Sequence, residues 1–265
     1  MIDLFIANII ESIVPDDASL IDVGGGRHPY ARADYVIDRR SIDERVGRIA
    51  TVGQERPARF SSTTWIKQDF YELPWPFRDN QFDFSVCGHT LEDLRDPISV
   101  AKEIQRISKA GYISTPTRAL ESCPFIENRP HLEYGSAGFF HHRWFVEIEN
   151  NALIFKPKTH FINSKKNLRI ENYGQHTLNF FWNGEFDVRE ESFRSPINAV
   201  EDFRIFKTRH QEFLAQLTRK TNDLELYNYW DDSLGPSPNF SQAISNDRVS
   251  RLRYFLQTVR NKYFK

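Results

Sequence analysis

The chain has 265 residues, enough for one large domain with an elaboration, and its 35 basic and 36 acidic side chains nearly cancel, so no global field argues for a nucleic-acid partner. Cys87 and Cys123 make neither a disulfide framework nor a zinc site by themselves, which suits a reducing cytoplasm. The N-terminal stretch MIDLFIANIIESIV carries Asp3 and Glu11 among its apolar residues and lacks the basic region of a signal peptide. No run reaches the roughly 20 apolar residues of a membrane span.

Ile2, Ile6, Ile9, Ile10 and Ile13 recur at helical spacing, and Pro15-Asp16-Asp17 stops that helix before a strand over Ser19–Val23. Gly24, Gly25 and Gly26 then stand at the strand's carboxyl end, where backbone can approach a ligand, and a second strand, Tyr35–Asp38, closes on an acid suited to ribose hydroxyls. The same glycines would also serve an ordinary tight turn. Arg27, His28 and Pro29 follow them, so the third glycine of a dinucleotide fingerprint is missing, and no Gly-Lys-Ser/Thr follows for a phosphate loop. A nucleoside-bearing cofactor is the first hypothesis, and both phosphate-binding readings weaken. Only Arg27 to Asp34 remain for a parallel crossover that usually takes a dozen or more residues, so the first crossover helix is expected to be very short or absent.

Residues 39–64 are polar and predict a short helix and a loop. A third strand over Thr64–Gln68 ends in Asp69-Phe70, the turn Leu73-Pro74-Trp75-Pro76-Phe77 follows, and Gln81–Gly88 reads as a fourth strand. His89 to Asp96 open a short helical turn. Asp96 caps, and Pro97 starts, a helix with Val100, Ile104 and Ile107 on its buried stripe; Gly111 ends it, before a fifth strand over Tyr112–Thr115.

The ordered series LIDVGGG, VID, QDFYELPWPFRDNQFDFSVCGHTLEDLRDP and AGYISTP, over residues 15–118, resembles the successive motifs of the class I S-adenosylmethionine-dependent methyltransferases, in particular their broad bacterial type 11-like group. The resemblance implies an α/β fold: a Rossmann-like sheet with a shortened first crossover and a β-hairpin and helical C-terminal elaboration. It implies S-adenosyl-L-methionine as cofactor, with Asp22, Gly24, Gly25 and Gly26 around its methionine part, Asp38 on the ribose, Asp69 on the adenine amine, Phe70 beside the ring, and His89 facing the reaction centre. His28 stands where a further glycine is common, and Asp93 replaces the second histidine of the H-x-L-E-H pattern.

Beyond Pro116, Glu149-Asn150-Asn151 between apolar runs predicts a hairpin, and Asn183-Gly184 between LNFFW and EFDV predicts a second. His131, Glu133, His141, His142, Arg143 and Trp144 form the richest polar and aromatic cluster outside the cofactor motifs. They suit hairpin structure, acceptor contacts or a metal site built from His131, Glu133 and one of His141 and His142; adjacent histidines in a strand point to opposite faces, so at most one of that pair is expected to serve, and no metal is assigned. Ala199–Tyr229 reads as one or two helices. The last helix carries Val249, Leu252, Leu256, Val259 and Tyr263 on one stripe amid Arg and Lys residues, a basic amphipathic face that suits its own domain, a homodimer partner or peripheral membrane contact.

The expected organisation is a cofactor-binding core over 1–118, final strands and acceptor-covering hairpins over 119–198, and C-terminal helices over 199–265. The expected reaction is methyl transfer to a small-molecule or glycan acceptor at oxygen, in the cytoplasm, with no nucleic acid involved. His89 is the first candidate base and His131, His141 and His142 stand behind it. A nicotinamide oxidoreductase and a non-catalytic scaffold that keeps the fold are the competing readings; the acids Asp22, Asp38 and Asp69 argue against the scaffold.

Overall fold

The structure is a computed structural model that describes residues 2, 4–45, 49–53, 57–124, 126, 137–159, 169–170 and 176–220, with side chains to residue 215. Helix α1 (Leu4–Ile13) leads into strands β1 (Leu20–Val23) and β2 (Tyr35–Asp38). After a single 3-10 turn at Asp43–Arg45 come β3 (Trp65–Lys67) and β4 (Phe84–Gly88). Helix α2 (Pro97–Ile107), β5 (Ala110–Pro116) and the short α3 (Arg118–Glu121) complete the first half. The second half holds β6 (Trp144–Glu149), β7 (Ala152–Pro157), β8 (Thr177–Asn183), β9 (Asp187–Glu190) and α4 (Pro196–Lys220).

Strands run in the order β3-β2-β1-β4-β5-β8; the first five are parallel and β8 runs antiparallel to β5. The fold is the expected α/β Rossmann-like sheet. Because successive side chains alternate, Leu20 and Ile21 serve opposite faces. One face packs Leu20, Phe84, Val86 and Tyr112 against Ile6, Ile10 and Ile13 of α1. The other packs Ile21, Val23, Ile37, Cys87 and Ile113 against Val100, Ile104 and Ile107 of α2. Carboxyl ends of β1 and β4 therefore sit side by side.

No helix lies in the first crossover. Buried polar side chains fill its place: the Tyr30 hydroxyl donates to Glu11 at 3.0 Å, and the fully buried Arg32 donates to the Pro15 carbonyl and pairs with Glu11. The crossover closes when Asp34 accepts the Leu20 N–H at 2.8 Å.

The first predicted hairpin forms, as β6 and β7, with Asn150 and Asn151 at φ 48° and 63°, the left-handed pair a two-residue hairpin turn needs. The second does not. Gly184 does turn the chain at φ 72°, but β8 pairs with β5, whereas β9 pairs in parallel with β7 in a separate sheet of order β6-β7-β9. Phe186 and Val188 are drawn into the core beside α2, where Gln105 accepts the Phe186 N–H at 3.0 Å, so burial rather than turn chemistry decides the partner.

The predicted final basic helix, with Val249, Leu252, Leu256, Val259 and Tyr263, lies outside the described residues, as do residues 221–229 of the preceding helical prediction. No helix among the described residues is long and apolar enough to cross a membrane.

Glu103 on α2 clamps the Leu73–Phe77 turn to the helix. It accepts the Trp75 N–H at 2.6 Å and pairs with Arg106, which also donates to the Phe77 carbonyl at 2.9 Å. Glu103→Ala orphans a buried amide and removes the carboxylate partner of the guanidinium on α2. It is expected to cost about 2–3 kcal/mol, read as a lower urea midpoint at unchanged m-value.

Candidate active site

Gly24 takes φ 78° at the end of β1, and a Cβ there would stand 2.3 Å from the Thr90 hydroxyl oxygen, so the glycine loop and the turn after β4 touch across a gap only glycine fits. Gly25 backs onto the Asp22 carboxylate in the same way, at 2.9 Å. A narrow cleft lies here, lined by Ile2, Asp22, Gly24, Gly25, His28 and Gly88 among others.

Asp22 is buried and accepts the Tyr30 N–H at 2.8 Å. Burial pushes its pKa up to about 6, against the lowering effect of that hydrogen bond, and the nearby Asp38 charge adds to the rise. Asp38, at the tip of β2, accepts from the Gly26 N–H at 3.0 Å and the Arg40 N–H at 2.8 Å, and pairs with Arg45 at 3.0 Å. Asp69 is exposed, its carboxylate accepting the Tyr71 N–H at 3.0 Å, whereas the Phe70 ring is turned into the core against Trp75. Only 7% of Phe70 is exposed on this flank, where the resemblance expects the adenine ring.

The turn after β4 carries the second group of side chains. His89 has φ 51°, a left-handed conformation uncommon for a residue with a Cβ, and its N–H is held by the Ser114 carbonyl of β5 at 2.8 Å. Its Nδ1 lies 3.3 Å from Glu92 Oε1. Glu92 is completely buried, and neither carboxylate oxygen makes a hydrogen bond among the described residues.

His141 and His142 precede β6 in a turn rather than lying within a strand, and this corrects the expectation that they face apart. Their rings stand 4.4 Å apart, and both Nε2 atoms face Asp93 Oδ1, at 3.8 and 3.6 Å. His142 Nδ1 hydrogen-bonds the buried Glu121 carboxylate of α3 at 2.6 Å, and Lys158 closes on the other Glu121 oxygen. Burial disfavours the charged imidazolium, yet the Glu121 hydrogen bond and the charges of Glu121, Glu92 and Asp93 outweigh it and raise the His142 pKa. His131 and Glu133 lie outside the described residues.

Glu92, Thr90, Glu121 and Lys158 were not singled out from sequence. Glu121 reads there as an ordinary charged residue, and its partner Lys158 is 37 positions away. A cavity of about 320 Å³ lies at the other end of α3, between β6, β7 and α4, with Arg118, Glu147, Lys156, Asp202 and Phe206 in its walls.

Residues 22–113, from the acid of β1 into β5, match the methyltransferase domain family. Over this segment the chain is similar to methyltransferase domains. A demethylmenaquinone methyltransferase of Bacillus licheniformis is 29% identical to the chain over 102 residues, covering 37% of this chain and 43% of the relative. Among solved structures, a methyltransferase from Methanosarcina mazei shows 21% identity and a TM-score of 0.33, with 44% of this chain and 60% of that one covered. One from Mesorhizobium loti shows 15% identity and a TM-score of 0.32, with coverages of 44% and 56%. The chain thus spans less than half the length of the curated relative it matches and little more than half of these structures.

The donors present fit the methyltransferase domain's cofactor. Glycine backbone opens the carboxyl end of β1, Asp22 offers a buried carboxylate beside it, and Asp38 ends β2. The raised pKa of Asp22 gives the free protein a measurable signature. With a folded pKa above the unfolded value, Asp22 contributes stability below about pH 4 that is lost as pH rises through about 6, amounting to roughly 2–3 kcal/mol. Asp22→Asn should therefore gain stability over the wild type as pH rises from 4 to 7, measured by urea unfolding, while binding S-adenosylmethionine more weakly.

Proposed function

We propose that the chain methylates an oxygen of a small-molecule or glycan acceptor, with His89 as the general base. The observation that carries this reading is the His89–Glu92 pair: an imidazole whose Nδ1 lies 3.3 Å from a wholly buried carboxylate, on the turn that packs against Gly24.

Bound S-adenosylmethionine supplies a methyl group already activated on a sulfonium. The protein's own contribution is then placement, charge and proton removal. Asp22, ionised, sets a negative charge beside the glycine loop that suits a cationic ligand, and Asp38 is oriented by two backbone N–H groups toward hydroxyls, with Arg45 having to share its oxygens. Glu92, next to Nδ1, favours the tautomer in which that nitrogen carries the proton and leaves Nε2 to accept one from an acceptor hydroxyl. A hydroxyl becomes acidic as its oxygen attacks, so a base placed to accept its proton helps there. An amine or carboxylate acceptor would need none.

Calorimetry is the first test. S-adenosylmethionine should bind and NAD should not, and Asp38→Ala should weaken binding about 10- to 100-fold through the lost charged hydrogen bonds. Failure of the folded protein to bind would favour the non-catalytic scaffold. In a screen of hydroxyl-bearing acceptors, His89→Gln should lower kcat by about 10²- to 10⁴-fold with cofactor affinity little changed. An undiminished rate would remove His89 as base and leave methyl transfer intact.

A further inference from the structure

We propose that Asp93, His141 and His142 form a binding site for one divalent transition-metal ion, set beside the His89–Glu92 pair. One potential ligand atom from each of the three side chains lies within 4.8 Å of the other two. The two imidazole nitrogens converge on the same carboxylate oxygen at 3.8 and 3.6 Å, beyond hydrogen-bond range. Ligands held about 2.0–2.1 Å from a tetrahedral ion stand about 3.3 Å from one another, so small side-chain rotations bring these three atoms onto one centre.

The surroundings supply what such ligands need. His142 is held through Nδ1 by Glu121, the carboxylate–histidine arrangement that fixes the tautomer and leaves Nε2 as the electron-pair donor. Glu121 is itself placed by Lys158 and by the Phe139 N–H at 3.2 Å, and the Phe139 ring lies 4.6 Å from the His142 ring. Gly138 makes this possible: at φ 61° it passes against Glu121 so closely that a Cβ would sit 2.5 Å from the Glu121 Cα.

Charge points the same way. Asp93, Glu92 and Glu121 all bring negative charge to His142, and Lys158 pairs with Glu121. The Glu92 carboxylate is wholly buried and without a hydrogen bond among the described residues, in the residue adjacent to Asp93. Such a cluster attracts a cation. Two imidazoles and one carboxylate select zinc or a neighbouring first-row ion over magnesium or calcium, which prefer all-oxygen sites. Asp93 and His141 are solvent-accessible, which leaves a coordination position for water or for an oxygen of the acceptor. Binding of the ion stands on this geometry alone. Its use, to hold and acidify an acceptor hydroxyl, rests on the methyl-transfer reading above.

The test is a titration of the full-length, chelator-treated protein with Zn²⁺ against a chromophoric chelator, with Co²⁺ in parallel for its visible spectrum. One equivalent should bind, with a four- or five-coordinate Co²⁺ spectrum. Asp93→Asn and His141→Ala, both at accessible positions, should each weaken binding by more than about tenfold, and Glu121→Gln by about 10- to 100-fold. His210→Ala, on α4, should leave it unchanged. Circular dichroism confirms that each variant is folded, and Asp93→Asn and His141→Ala carry the test if Glu121→Gln does not fold. Absence of binding to the wild type, or binding equal in Asp93→Asn and His141→Ala, overturns the proposal. The titration contains neither cofactor nor acceptor, so its failure is separate from a failure to bind S-adenosylmethionine.

Discussion

The contact between Gly24 and Thr90 is the constraint on which the site depends. Parallel pairing of β1 with β4 brings the carboxyl ends of both strands together, and the chain leaving each must find room. Gly24 yields that room by having no side chain and by adopting φ 78°. The turn beginning at Thr90 can then lie directly on the glycine loop, and it carries Glu92 inward and Asp93 outward. A side chain at position 24 would push the glycine loop and the Thr90 turn apart. Overpacking costs of about 1–3 kcal/mol understate the consequence, because geometry is lost as well as stability.

A second set of constraints works from the other side. α3 is a single helical turn capped by Thr117, yet both its charged residues are buried. Glu121 reaches His142 and Lys158, while Arg118 pairs with Glu147 and Asp202 and lies over the rings of Phe145, Phe203 and Phe206. Buried charges in this number are stable only when paired, and removal of any one partner leaves another uncompensated. The helix consequently fixes the histidine turn and the second sheet relative to β5. From this one short helix Arg118 lines the cavity near α4 while Glu121 meets His142.

The buried acids show the same tension between stability and use. Asp22 is held where burial opposes its ionisation, and Glu92 is enclosed without a hydrogen bond among the described residues. Neither arrangement favours the free, folded protein. Both make sense where a cationic ligand or a protonated imidazole supplies the missing charge, since functional sites keep groups that the fold alone would replace.

Much of this was legible in the sequence because it is local. Apolar runs ending in glycine or acid marked β1, β2 and β4, the Asp96-Pro97 start and the Val100-Ile104-Ile107 stripe marked α2, and the eight residues Arg27 to Asp34 ruled out an ordinary crossover helix. The motif order also carried the family and its cofactor. Other features were decided by tertiary structure, since they depend on contacts between distant segments. β8 and β9 part company across a turn that looks like a hairpin, because Phe186 and Val188 gain more by burial against the α2 side of the core than by pairing with β8. His141 and His142 face one carboxylate only because a turn, not a strand, presents them, and because Glu121, contributed from the far side of β5, fixes one ring. Periodicity records which face of an element is buried, but the meeting of Asp93, Glu121 and His142 is a property of two turns and a short helix that are distant in sequence.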